Sequence, residues 1–136
     1  ETIQRVRGWL KQCDCLLLNE AETRELSGGC SPDQAPSNLL PLMPADTVVV
    51  VKCGERGVFA QAMRGPLVRV PATAVKVLDT IGAGDIFNAA FMAAWSDGLT
   101  LETCLEWGVT SASTAISTSP RQYGIDGPSQ VGGISK

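Results

Sequence analysis

A short glycine-rich segment that leads into an apolar helix is the feature that most restricts what this chain can fold into. Gly82-Ala83-Gly84 lies between Asp79 and Asp85, directly ahead of the apolar stretch Ile86–Met92. Glycines let the backbone turn sharply and approach a ligand closely. The free N–H groups at the start of the following helix, assisted by the helix dipole, favour an anion there. Asp85, in the first turn, is placed to accept a proton from an attacking hydroxyl. Such a turn also occurs in α/β proteins without this chemistry.

Strands and helices alternate along the chain. Cys15–Leu18 and Thr47–Val51 are apolar runs typical of strands buried on both faces. Val58–Ala62 and Leu67–Val70 flank a turn and predict an edge hairpin, and Val75–Leu78 predicts a strand that leads into the glycine turn. Helices are predicted over Thr2–Gln12, Glu20–Leu26, part of Ser31–Pro44, Ile86–Trp95, Leu101 to about Ile116 with Thr100 as N-cap, and a last turn near Gln130. This alternation predicts a three-layer α/β/α sandwich with a mostly parallel sheet.

Composition and charge exclude several classes of function. The net charge is −3 and no basic run occurs, which argues against nucleic acid or an anionic membrane as a partner. No apolar stretch approaches the roughly 20 residues that span a bilayer. The five cysteines form no Cys-x-x-Cys pair and the chain has no histidine, so a zinc site or a Ser-His catalytic pair is not expected. Scattered cysteines in apolar contexts suit a reducing cytoplasm.

The longer string around the glycine turn is far more specific than the turn alone. Asp79-Thr80-x-Gly82-Ala83-Gly84-Asp85-x-Phe87-x-Ala89-Ala90 resembles the C-terminal signature of the ribokinase (PfkB) family of carbohydrate and nucleoside kinases. The resemblance implies a ribokinase-like, Rossmann-like fold in a cytoplasmic enzyme. Residues 1–136 would form its C-terminal, nucleotide-binding part, without the N-terminal acceptor-binding and lid part. The dinucleotide and P-loop fingerprints are lacking, because Phe87 replaces a third glycine and no Gly-x-x-x-x-Gly-Lys-Ser/Thr occurs.

Two further motifs follow predicted strands in family order. Asn19-Glu20-Ala21-Glu22 resembles the family's Asn-x-x-Glu element, which helps to organise Mg-bound phosphates, and it also has the pattern of a helix capping box. Both roles can coexist. The loop Lys52–Gly57 resembles the ATP-site loop, at a strand end where open α/β sheets bind ligands. Lys52 departs from the usual threonine, and either contact with a phosphate or solvent exposure remains open for it.

The resemblance implies transfer of the γ-phosphate of ATP to an alcohol group of a sugar or related small molecule. Asp85 would be the general base that contacts the acceptor, and Gly82, Ala83 and Gly84 would form the anion hole. Nucleotide-binding residues would be Asn19, Glu22, Lys52, Gly54, Glu55, Arg56, Gly57, Gly84 and Val109. Mg²⁺ would be held by Glu22 through water, and K⁺ beside Asp79 and Ile81 with help from Ser117–Gly124. A homodimer of the full-length protein is a further expectation.

Two other functions compete with this reading. One is a non-catalytic nucleotide- or phosphate-binding module of degenerate kinase fold, and the other is a related hydroxymethylpyrimidine-type or ADP-using kinase. Asp85 favours an enzyme over the binding module, because phosphate binding alone gives no reason to place a carboxylate beside phosphates. The identity of the acceptor does not follow from these motifs.

Overall fold

The computed structural model describes residues 2–124. The chain divides into two compact units. The first comprises Glu1–Gly54 and Val58–Arg69, and the second comprises Glu55–Gly57 and Val70–Lys136. No helix among the described residues is long and apolar enough to cross a membrane.

A four-stranded sheet of order β1-β2-β3-β4 organises the first unit. β1 (Cys15–Asn19) and β2 (Val48–Lys52) run parallel, whereas β3 (Val58–Ala62) runs antiparallel to β2 and neighbours β4 (Leu67–Val70). The four valines of β2 are fully buried, which fits β-branched side chains packed on both faces of an interior strand.

Three helices complete the first unit, and the second and third of them contact the sheet. They are α1 (Thr2–Trp9), which continues as a 3₁₀ turn over Leu10–Gln12, α2 (Glu20–Ser27), and α3 (Ala35–Leu39), followed by a 3₁₀ turn over Leu40–Leu42. α2 ends at Gly28, whose positive φ of 76° suits glycine at a helix end. The core of the unit is formed by Leu10, Leu18, Leu26, Leu39, Leu40, Met43, Val49, Val51 and Cys53.

Two helices form most of the second unit. α4 (Ala83–Ser96) and α5 (Leu101–Ser117) pack against each other. Thr100 is the N-cap of α5, since its side chain accepts a hydrogen bond from the Thr103 N–H at 3.3 Å. Along α4, Phe91 stacks between Phe87 and Trp95, with ring centroids 6.2 Å and 5.8 Å away. This spacing of one helical turn places the three rings on one face of α4.

The structure corrects two details of the predicted fold. The described sheet is mixed, with one parallel pair, instead of mostly parallel. Val75–Leu78 is not a strand; the N–H groups of Leu78 and Asp79 bond instead to the carbonyl of Ile116, at 2.7 and 3.2 Å. Val77 and Leu78 stay about half exposed, at 53% and 51%. β propensity could not produce a strand there, because the backbone donors are used by the end of α5.

Other element predictions were close. α4 begins three residues before Ile86, because Gly82 adopts the left-handed conformation that lets the helix start at Ala83. The predicted hairpin strands match β3 and β4. The predicted helical turn near Gln130 lies outside the described residues.

Candidate active site

The glycine segment forms a tight turn at the start of α4. The Asp79 carboxylate accepts a hydrogen bond from the Ile81 N–H at 2.9 Å, which closes the first bend. The Ala83 N–H then donates to the Thr80 carbonyl at 3.2 Å. Gly82 is the helix N-cap with φ of +78°, a conformation that costs an L side chain roughly 1–2 kcal/mol. The glycine therefore serves the geometry of the turn itself.

This geometry leaves two backbone donors open at the helix N-terminus. Ala83 N–H is used within the turn, and Ile86 N–H donates to the Gly82 carbonyl at 3.0 Å. Within residues 2–124, no protein acceptor is found for the N–H groups of Gly84 and Asp85. Both residues are exposed, and the helix dipole adds positive potential at this end. The first turn of α4 thus offers two N–H groups to an anion.

The Asp85 carboxylate belongs to the same first turn. It is solvent exposed, and no ion pair to it is found in the described part of the chain. A carboxylate at this place stabilises the helix N-terminus electrostatically, and it is also accessible to a substrate hydroxyl. An exposed carboxylate and two open N–H groups therefore lie within one helical turn.

Arg121, which follows α5 in the sequence, also contacts the turn. The Arg121 guanidinium donates to the Ile81 carbonyl at 2.7 Å and to the Asp79 carbonyl at 3.1 Å. It also lies 3.4 Å from the Asp79 Oδ2 atom, and its side chain is 24% exposed. Sequence reasoning missed this residue. The available signal was that Arg121 is the only Lys or Arg between Lys76 and Lys136.

In the first unit, the Asn-x-x-Glu element forms a complete capping box. The Glu22 N–H donates to the Asn19 side chain at 2.8 Å, and the Asn19 N–H donates to the Glu22 carboxylate at 2.9 Å. Asn19 pairs in register with Lys52, so the carboxyl ends of the two parallel strands carry these polar residues side by side. The Asn19 and Glu22 residues are both exposed, which leaves the second carboxylate oxygen of Glu22 accessible.

The loop that follows β2 forms a 3₁₀ turn over Gly54–Arg56, and Glu55 and Arg56 are exposed on it. Gly57, with φ of +90°, approaches other backbone so closely that an added Cβ would meet the Val70 carbonyl and lie 3.0 Å from the Pro71 Cα. Only glycine fits this place, because both the backbone conformation and the space exclude a side chain.

The predicted site residues fall into two groups. Asn19, Glu22, Lys52 and Gly54 belong to the first unit, and the remainder to the second: Glu55, Arg56, Gly57, Asp79, Ile81, Gly82, Ala83, Gly84, Asp85 and Val109. Within each unit the structure brings residues together at a strand end or a helix start. Val109 lies half-buried on α5.

The donors for metal ions are few. Among the described residues, no group of three acidic, cysteine or histidine side chains is close enough to hold a metal ion. Glu22 with one accessible oxygen fits Mg²⁺, which in phosphate sites keeps several waters and takes only one or two carboxylates. A K⁺ site beside Asp79 and Ile81 stays a prediction, and the carbonyls of both residues accept hydrogen bonds from Arg121.

Comparison with known proteins assigns the chain to a family. The model of the pfkB family carbohydrate kinases matches residues 2–126, which is nearly the whole chain. The chain belongs to the pfkB family. Among curated pfkB-type relatives, a 5-dehydro-2-deoxygluconokinase of Bacillus licheniformis is 35% identical over 99 residues, which cover 73% of this chain and 30% of the relative. The enzyme of that name from Bacillus subtilis is 40% identical over 70 residues, or 52% of this chain and 22% of the relative. The chain therefore spans less than a third of these relatives.

Solved structures confirm the ribokinase-like α/β fold. Ribokinase from Thermotoga maritima superposes with a TM-score of 0.75 at 29% identity, over 91% of this chain and 42% of that one. Arabidopsis thaliana ribokinase, solved with ribose and ATP, gives a TM-score of 0.73 at 29% identity, over 81% and 36% of the two chains. A probable sugar kinase from Rhizobium etli gives 0.81 at 22% identity, over 97% and 41%, which supports the fold alone. The predicted fold class and family are thus confirmed.

Proposed function

We propose that this pfkB chain is the nucleotide-binding part of a kinase that moves the γ-phosphate of ATP to an alcohol group of a sugar or related small molecule. The observation that carries the proposal is the first turn of α4, where the exposed Asp85 carboxylate accompanies the open N–H groups of Gly84 and Asp85. That turn supplies the two things that phosphoryl transfer requires of a protein, positioning and electrostatic stabilisation. The homodimer and the C-terminal placement of residues 1–136 remain predictions.

The reaction assigns a role to each group in the turn. Asp85 takes the proton of the acceptor hydroxyl, whose oxygen attacks the γ-phosphorus while the bond to the β-phosphate oxygen breaks and ADP leaves. The N–H groups of Gly84 and Asp85 stabilise negative charge on the transferred phosphoryl group. Gly82 and Ala83 shape the turn, and the Ala83 N–H is already used by Thr80. Mg²⁺, when bound, neutralises charge on the phosphate oxygens.

The remaining predicted residues are proposed to bind the nucleotide. Asn19 and Glu22 keep free polar atoms beyond the capping box, and Glu22 would hold Mg²⁺ through water. The turn Gly54–Arg56 offers exposed backbone next to the buried Gly57, and Val109 lies on α5 of the unit that carries Asp85. Lys52, in register with Asn19, is a candidate phosphate contact. Support for ATP comes from the Arabidopsis ribokinase, whose structure contains ribose and ATP.

The test is Asp85→Asn in the full-length protein, with Asp97→Asn as the matched control because Asp97 is an exposed acid at the opposite end of α4. Because the similar enzyme of Bacillus licheniformis is a 5-dehydro-2-deoxygluconokinase, 5-dehydro-2-deoxygluconate is the first acceptor to assay. Loss of a general base should lower kcat by about 10²–10⁴-fold with little change in Mg-ATP affinity, whereas the control keeps its rate. A kcat for Asp85→Asn within about tenfold of wild type would refute the assignment. Mg-ATP binding without turnover of any acceptor would favour the non-catalytic binding module.

A further inference from the structure

We propose that the Arg121 guanidinium takes the place of a monovalent cation beside the glycine turn, so that this chain orders its anion-binding loop without K⁺. The proposal rests on the proposed function only in taking the first turn of α4 as the phosphate site. Three oxygen atoms converge on Arg121: the carbonyls of Ile81 and Asp79, and the Asp79 Oδ2 atom. All three oxygens belong to Asp79 and Ile81, the residues beside which K⁺ is expected from the sequence.

The chemistry of these oxygens is that of a cation site. Carbonyl and carboxylate oxygens are the ligands that hard, spherical cations take in proteins. A guanidinium satisfies them equally well, because it is planar, carries several N–H donors and stays protonated at every pH a protein tolerates. Arg121 donates to the two carbonyls at 2.7 and 3.1 Å, so its N–H groups already satisfy the oxygens that a metal ion would need.

The position of Arg121 links this contact to function. Ile81, whose carbonyl it binds, directly precedes the Gly82 N-cap, and a Cβ built on Gly82 would lie 3.9 Å from an Arg121 guanidinium nitrogen. The Asp79 carboxylate uses its other oxygen to accept from the Ile81 N–H. Arg121 thereby fixes both the peptide before the N-cap and the side chain that shapes the bend. Arg121 is a positioning residue, acting through the turn on the donors of Gly84 and Asp85.

Removal of the Arg121 side chain should open a K⁺ site at these three oxygens. In Arg121→Ala, the Asp79 carboxylate and two carbonyls would face an open space with no compensating charge. The Asp79 side chain is 56% exposed, so K⁺ can reach it from solution. Together with the two carbonyls it forms an all-oxygen set of ligands that suits a hard cation, so the site should then take up K⁺. We expect the variant to become dependent on K⁺ in a way that the wild-type protein is not.

The first experiment follows Mg-ATP affinity of the full-length protein in KCl and in tetramethylammonium chloride at equal ionic strength. Wild type should bind equally well in both salts, and Arg121→Ala should bind about tenfold or more weakly without K⁺, since charge-assisted contacts to the loop are lost. Arg5→Ala is the matched control, because it removes the same charge from an exposed position on α1. A saturable effect of K⁺ on wild type would overturn the proposal without any variant.

The second experiment needs no nucleotide, so its failure is distinguishable from failure of the kinase assignment. Amide NMR shifts of Ile81 and Gly82 are followed while KCl is titrated into each protein. Saturable shifts in Arg121→Ala but not in wild type would support the proposal that the guanidinium takes the place of K⁺. Arg121→Lys, or millimolar guanidinium added to Arg121→Ala, should partly restore the wild-type insensitivity to K⁺. An Arg121→Ala protein that folds but shows no response to K⁺ would reduce Arg121 to an ordinary structural contact and overturn the proposal.

Discussion

The close packing of α4 on α5 gives a sharply testable prediction at Gly108. A Cβ built on this buried glycine would lie 2.5, 2.6 and 2.8 Å from three ring atoms of Phe87, closer than the 3.0 Å limit of real Cβ contacts. The ring cannot move aside freely, because Phe87 is 5% exposed and stacks on Phe91. Gly108→Ala should therefore force α4 and α5 apart or strain the Phe87 rotamer.

The magnitude follows from two opposing effects. Overpacking a well-packed core costs about 1–3 kcal/mol. Replacing a helical glycine with alanine returns up to about 1 kcal/mol of helix propensity. We expect Gly108→Ala to lower the free energy of unfolding by about 1 kcal/mol. Gly8→Ala is the matched control, because Gly8 lies in α1 with no atom within 4 Å of an added Cβ. This control should gain rather than lose stability.

Urea unfolding followed by far-UV circular dichroism measures both variants against wild type. The difference between them isolates the steric cost, about 1–3 kcal/mol, because the propensity gain is common to both. Phe87→Leu in the Gly108→Ala background should recover part of that difference by opening space at the ring. Equal stability of the two alanine variants would refute the packing argument at this helix crossing.

Other predictions concern the cap, the β2 loop and a buried thiol. Asn19→Ala should lower the free energy of unfolding by about 1 kcal/mol through loss of the capping box. Asn19→Asp should retain the cap, so a loss of Mg-ATP affinity in that variant would indicate a direct contact between Asn19 and the nucleotide. Gly57→Ala should destabilise by at least about 2 kcal/mol in urea unfolding, more than Gly54→Ala, whose added Cβ meets no atom within 4 Å. Desolvation by burial raises the pKa of Cys104, which is 0% exposed, so the folded state holds the thiol proton more tightly. Its contribution to stability should be lost as pH rises above the usual thiol pKa of about 8.5, and Cys104→Ala should remove that dependence in unfolding experiments at pH 8–10.

The sequence predicted those parts of the fold that local chemistry determines. The valine run of β2, the hairpin β3–β4 and the Thr100 cap of α5 appear where their patterns indicated, because burial on both faces, turn residues and a cap side chain act over a few residues. The prediction of a strand over Val75–Leu78 was wrong for the opposite reason. Its β-branched composition is local, whereas its hydrogen bonds are set by Ile116, far along the chain.

The candidate site also combines features set by neighbouring residues with features set by distant ones. Asp85, Gly82 and the Asn19–Glu22 capping box could be read from short motifs, because each motif contains the groups that its geometry needs. Arg121 could not, since its role depends on a contact across 42 residues to Asp79 and no short motif encodes it. That Ser117–Gly124 supplies ligands to a cation beside Asp79 stays a prediction; the structure places Arg121 of this segment in contact with Asp79.

The anchoring of the glycine turn by Ile116 and Arg121 has a consequence for partly degraded forms of the protein. Leu78, Asp79 and Ile81 are held by residues at and beyond the end of α5. A single proteolytic cut just before Arg121 would leave both helices intact, yet it would release the guanidinium from the turn. Such a nicked protein would keep its helical circular dichroism while amide exchange at Ile81 and Gly82 accelerates. Inactivation would then precede global unfolding, and helix content alone would be a poor measure of intact protein.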